Sequence, residues 1–138
     1  MELWRELVGI LPRKALRSAW GSAVLAGHTD QATSLAVTLE GRVFSGAMDG
    51  TVRTWSASSP ADVQTLRGHD KAVAALAAQP DGRRLVSGGW DHVACVWDLA
   101  KGEARTRFRD HADYVTCAAV VPGSGLVLTG SLGAGIQQ

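Results

Sequence analysis

The chain has 138 residues, 46% of them hydrophobic, with 14 basic and 13 acidic side chains, a formal net charge of +1 and a mean hydropathy of +0.02. That length suits one modest domain, and the near-neutral balance gives no global steer toward nucleic acid or membrane. No run reaches the ~18 consecutive apolar residues that a membrane span needs, so no membrane association is expected.

In chain order, Leu3, Trp4, Leu7, Val8 and Leu11 recur at three- and four-residue steps, the spacing of an amphipathic helix that Pro12 ends or kinks. Glu2 and Glu6 break up the stretch, which does not fit a secretory signal. Arg13, Lys14 and Arg17 follow as a short basic cluster, read as a solvated face. Residues 1–22 are therefore an N-terminal amphipathic helix with a basic linker, and the helix is expected to cap whatever follows.

From residue 23 the pattern changes to a repeat. Gly27-His28 recurs as Gly68-His69 and, with the Gly lost, as Asp110-His111, so the histidines are 41 and then 42 residues apart. After each His comes an apolar run (TSLAVTL, AVAALAA, YVTCAAVV), then a turn containing Gly, then a second run (RVFSGA, RRLVSGG, LVLTGS). The first two units add a third run, TVRTW and VACVW, and a fourth, VQTLR and RTRFR. Four short β-rich runs separated by Gly, Pro and Asp turns describe a small antiparallel meander.

SGAMDGTVRTW, from Ser45 to Trp55, can be laid over SGGWDHVACVW, from Ser87 to Trp97. A Ser, an Asp and a nearby His suggest hydrolase chemistry, but neither Ser sits in a GxSxG elbow with a helix following. A duplicated triad would be odd, whereas a duplicated structural joint is what a repeat protein requires. The repeat length and the GH, Asp and Trp punctuation resemble the WD-repeat (WD40) family, whose units are the blades of a β-propeller. The resemblance covers roughly Val24 to Gly130. It implies an all-β fold: a partial β-propeller of about two and a half to three four-stranded blades, preceded by the short N-terminal helix. Residues 23–138 would hold two complete repeats and a truncated third.

In that family four recurring residues form a buried hydrogen-bond relay, which carries over to His28, Ser45, Asp49 and Trp55, and again to His69, Ser87, Asp91 and Trp97. The residue types suit the task, since an indole only donates, a hydroxyl and an imidazole do both, and a carboxylate ends the chain as acceptor. The third unit keeps His111 and Thr129 at the spacing of His69 and Ser87, but Gly133 stands at the Asp position and the Trp would fall at 139. The tail SLGAGIQQ lacks the strand-forming character of its counterparts. Three blades or fewer cannot close a ring, so self-association or further blades are expected at the open C-terminal end.

No catalytic residue, metal site or cofactor is expected. Cys95 and Cys117 lie in strand-like runs without CxxC spacing and are read as reduced core thiols of an intracellular protein. His92 has no ligand partner at metal spacing and reads as a polar turn residue. Arg105, Arg107 and Arg109 alternate with Thr106 and Phe108, so they are expected on one face of an outermost strand, protecting its edge. No aromatic residues suited to base stacking accompany them, and nucleic acid is not the favoured partner.

The resemblance implies a non-catalytic scaffold that binds other proteins, cytoplasmic or nuclear. In WD propellers one rim is built from the loop after each GH and the turn before each relay Asp. By position it holds Gln31 and Met48, then Asp70, Lys71 and Trp90, then Tyr114. Trp90 and Tyr114 could border one patch across adjacent blades; the alternative is that Trp90 folds over its own blade as a lid. An alternative rests on HADYVTCA and the preceding FRD, which resemble a repeat of WD proteins associated with U3 small nucleolar RNA; it implies a component of a nucleolar rRNA-processing assembly. Ala100 occupies the place where ubiquitin-ligase receptors of the family often carry Arg, so that role gains no support.

Overall fold

The computed structural model describes residues 25–56, 63–133 and 136–137. The helix and basic cluster expected before residue 23 lie outside these residues. Among the described residues every regular element is a strand. β1 (Ala32–Val37), β2 (Arg42–Ala47), β3 (Thr51–Ser56) and β4 (Val63–Arg67) form one sheet in chain order. β5 (Val73–Ala78), β6 (Arg84–Gly89), β7 (Ala94–Asp98) and β8 (Glu103–Phe108) form a second. β9 (Val115–Val120), β10 (Val127–Ser131) and β11 (Ile136–Gln137) make a third, in the order β11-β10-β9. All neighbouring strands pair antiparallel, as short connections require. The turns joining the first and second strand of each sheet place Gly41, Gly82 and Gly123 at φ of 79°, 71° and 78°, where only Gly is unstrained.

The tail differs from the expectation. Ile136 pairs with Gly130 and Gln137 with Thr129, so the third sheet starts a third strand. Antiparallel pairing is made by backbone groups, which weak side-chain propensity does not prevent.

The sheets stack through their first strands, β1 against β5 and β5 against β9. Each first strand carries a bulge at the same place, because the pairing skips Thr33, Ala74 and Thr116. The bulge turns the Thr33 hydroxyl toward the second blade, where it donates to the Val73 carbonyl. The side chain of Val73 meanwhile enters the space left by Gly46: a Cβ there would lie 2.7 Å from Val73 Cγ1. One blade further on the joint repeats, and a Cβ on Gly88 would lie 2.4 Å from Val115 Cγ1. Both glycines are sockets for a Val of the following blade.

The core lies between the first two blades, with Phe44, Val52 and Leu66 from one and Val73, Leu85, Val93, Cys95, Trp97 and Leu99 from the other. The second blade lies between the first and the third, so its middle strands β6 and β7 are buried along nearly their whole length rather than on alternate residues. The outward faces are open: Leu35 and Val37 of β1 are exposed, and so is Cys117 of β9. Cys117 is therefore not the core thiol expected of it, because no described residue covers that face of β9. Cys95 is fully buried.

Candidate functional site: two relays and an aromatic rim

Ser45 on β2, Trp55 on β3, Asp49 in the turn between them and His28 before β1 converge in the first blade. The Trp55 indole donates to Ser45 Oγ at 2.8 Å, and His28 Nε2 lies 2.7 Å from the same oxygen. His28 Nδ1 lies 3.1 Å from Asp49 Oδ2. Since the indole can only donate, one polarity satisfies every atom: Trp N–H to Ser, Ser O–H to Nε2, and Nδ1–H to the carboxylate. Asp49 also accepts from the Thr51 and Thr29 backbone N–H groups at 2.9 and 3.0 Å and from the Thr51 hydroxyl at 2.7 Å. Burial alone would push the Asp49 carboxyl up, but the hydrogen bonds from Thr51, Thr29 and His28 outweigh it and hold it well below the usual carboxylate range.

The second blade repeats the arrangement. Trp97 donates to Ser87 Oγ at 2.8 Å, His69 Nε2 lies 2.7 Å from Ser87 Oγ, and His69 Nδ1 lies 3.0 Å from both Asp91 oxygens. The indole tips explain the Gly of each GH pair: a Cβ on Gly27 or Gly68 would stand 3.0 or 2.7 Å from the Cη2 of Trp55 or Trp97. In the third blade His111 Nε2 still lies 2.9 Å from Thr129 Oγ1. Asp110 there replaces the Gly, and its Cβ would collide with an indole placed as in the first two blades.

This geometry bears on the chemistry. Each Ser oxygen is fully engaged by an indole and an imidazole, and Ser87 is wholly buried, so no substrate can reach it. Among the described residues no group of three His, Cys, Asp or Glu could hold a metal. Burial, helped by the Asp91 carboxylate, pushes the Cys95 thiol up to about 11 against the pull of Arg107 and Arg109, which keeps it an un-ionised core group.

At the turn end of the blades the rim residues pair across strands. The Met48 N–H donates to the Gln31 carbonyl and that of Trp90 to the Ala72 carbonyl, at 2.8 and 2.9 Å, and Leu132 repeats the contact to Tyr114 at 3.1 Å. Met48, Trp90 and Leu132 thus hold one equivalent position, and all three are exposed. Trp90 does not fold over its own blade. Its ring stacks on Tyr114 of the next blade, centroids 5.4 Å apart at 17°, and remains 38% exposed. His92 sets its edge against Tyr114 at 5.5 Å from a backbone with φ of 67°. Gln31, Asp70 and Lys71 are exposed at the same end of the blades. Sequence reasoning missed Leu132 and His92 as rim residues. Counting forward from Trp90 by one repeat finds Leu132, whereas the left-handed backbone at His92 leaves no sequence signal.

The family model for "WD domain, G-beta repeat" matches residues 22–56 and 61–98, more than half of the chain. The chain belongs to the WD40 family. It is 31% identical over 118 residues to pre-mRNA-processing factor 19 of Bos taurus, a match covering 83% of this chain and 23% of that protein. It is 32% identical over 87 residues to the U3 small nucleolar RNA-associated protein 15 homolog of Xenopus tropicalis, covering 62% of this chain and 17% of that one. The solved structure of U3-55K superposes with a TM-score of 0.73 at 27% identity, over 78% of this chain and 35% of the other. The chain thus spans about a fifth of the length of these curated relatives.

Proposed function

We propose that this WD40 chain is a non-catalytic scaffold that docks a protein partner on the rim carrying Trp90 and Tyr114. One observation carries the reading: two stacked aromatic rings from adjacent blades lie half-exposed at the surface while the relays beneath them are saturated. Rigid aromatic surface offers large contact area at low entropic cost, and such residues are enriched among binding hot spots. Gln31, Met48, Asp70 and Lys71 are the polar and flexible surround. The test is partner capture by wild type and by Trp90→Ala and Tyr114→Ala. Each substitution should weaken capture by about tenfold or more, the loss of a ~2 kcal/mol hot spot, with little change in melting temperature. A variant that unfolds without a separate binding defect places its residue in the core instead.

A second reading is favoured by the names of the relatives, among them a pre-mRNA-processing factor and a U3 small nucleolar RNA-associated protein. In it the chain is one component of a nuclear RNA-processing assembly, acting inside the cell. Nucleolar location of the tagged chain and co-purification of RNA that falls with salt would support it; a cytoplasmic, RNA-free chain would count against it.

A further inference from the structure

β8 does not keep the alternation expected of its arginines. Val96 pairs with Thr106 and Trp97 with Ala104, so Arg105 is the extra residue of a bulge. A bulge re-aims a side chain, and here it separates Arg105 from the face it would share with Arg107. Arg105 instead joins Arg42, Arg83 and Arg84 in lining a cleft of about 640 Å³ between the first and second blades. Arg42 and Arg84 open β2 and β6, whereas the rim follows the far ends of those strands. About six residues of strand, ~20 Å, separate cleft from rim.

Four arginines line this cleft with a single acidic residue, Asp98, and the Arg84 guanidinium reaches on toward Gly125 of the third blade. The Asp98 carboxylate is already engaged with its own turn, accepting from the Ala100 and Lys101 N–H groups at 3.1 and 3.3 Å. Among the described residues none of the four arginines makes an ion pair. Like charges collected in one concavity repel one another unless an anion enters, and the field they focus draws it in. The apolar residues of the lining are Gly82, Leu99 and Ala100, and the largest, Leu99, is 5% exposed. The cleft offers no pocket for the apolar anchor a peptide needs, and no ring on which a base could stack.

We propose that this cleft binds the phosphodiester backbone of a single-stranded nucleic acid, holding phosphates in the arginine forks without reading the bases. The site would give the RNA-assembly reading a contact surface, but it does not depend on the rim.

The test uses the full 138-residue chain and a fluorescent uridine oligomer of about 12 nucleotides, titrated from about 50 to 200 mM salt, where phosphate contacts dominate affinity. Arg83→Gln with Arg105→Gln should weaken binding about tenfold at the low end and flatten the salt slope by about 1.4, near 0.7 per lost contact. Arg67→Gln with Arg109→Gln removes the same charge outside the cleft and should leave both nearly unchanged. If the cleft pair melts early, Arg105→Glu carries the test alone, since its side chain is exposed; unaltered binding in it overturns the proposal. Equal weakening by both pairs would show bulk charge only and also overturn it. So would a poly-glutamate peptide that competes as well as the oligomer, which would make this an acidic-peptide site. RNA co-purification that survives loss of the cleft arginines would leave the assembly reading standing and refute this site.

Discussion

Ala75 of the second blade and Cys117 of the third occupy the same register position, opposite Gly88 and Gly130 respectively, yet Ala75 is 6% exposed and Cys117 lies in the open. The local backbone is alike in both, down to the bulge one residue earlier. The difference is in what lies against each strand. β5 is covered by β9, and Val115 fills the Gly88 socket; a Cβ on Gly130 would meet only Cys117 Sγ, at 2.5 Å. The relays follow the same division: His69, Ser87, Asp91 and Trp97 are joined in one network, whereas the third blade joins His111 to Thr129 and has no carboxylate at Gly133. A blade of this kind is completed as much by its neighbour as by its own sequence.

The sharpest way to break that comparison is to add a methyl group at Gly88 and, separately, at Gly130. In Gly88→Ala the new methyl meets the Val115 side chain at 2.4 and 3.0 Å and its carbonyl at 3.3 Å, so the third blade must move off the second. Overpacking of this kind costs about 3 kcal/mol, and denaturant unfolding should read it directly. Gly130→Ala meets one rotatable thiol and should cost less than about 1 kcal/mol. Equal losses would mean that the third blade does not pack as described.

The next largest effect tests the relay. Trp97→Phe keeps the ring and deletes the donor to Ser87, and Asp91→Ala removes the acceptor at the other end of the network. Each should cost on the order of 1–3 kcal/mol. Because both act through one chain of hydrogen bonds, the double variant should lose clearly less than the sum. Strict additivity in that cycle would dissolve the relay into independent contacts. Thr129→Val, which leaves His111 without its hydroxyl partner in the incomplete blade, should cost less than either.

These contrasts also show how far the sequence could be read. The strands and the convergence of His28, Ser45, Asp49 and Trp55 were legible because the period repeats with its polar landmarks intact. Burial was not, since it depends on which face is covered: the run around Cys117 resembles that around Ala75, and alternation cannot report a neighbour. The alternation of Arg105, Arg107 and Arg109 misled for a related reason. One bulge residue changes which face a side chain takes, and the bulge in β8 has no Gly to announce it. The β11 pairing was hidden because backbone groups make it.

A smaller effect comes from acid. Asp49 has a depressed carboxyl in the folded chain, so its hydrogen bonds stabilise the first blade fully above the unfolded value of about 4, and that stabilisation is lost progressively as pH falls below it. Unfolding midpoints measured between about pH 5 and 2.5 should fall for the wild type and fall less steeply for Asp49→Asn. Parallel curves would remove Asp49 from the acid response.

The smallest effect on stability should come from modifying the uncovered strand. Cys117 is exposed, beside a cavity of about 200 Å³ lined by Ala118, Ala119, Leu128, Thr129 and Gly130. Cys95 is buried, with its thiol pushed up to about 11. In native conditions a maleimide should therefore label one thiol quickly, and Cys95 only on unfolding. The label projects from the face that β9 leaves open, where no packed group is displaced, so the melting temperature should shift by no more than about 2 °C, well under 1 kcal/mol. The same face is apolar and strand-edged, the kind of surface through which chains associate. A bulky label there should shift the chain toward monomer in analytical ultracentrifugation. An unlabelled chain that is already a monodisperse monomer would refute association through this face. Rapid double labelling would show that the covered and uncovered strands do not differ as described.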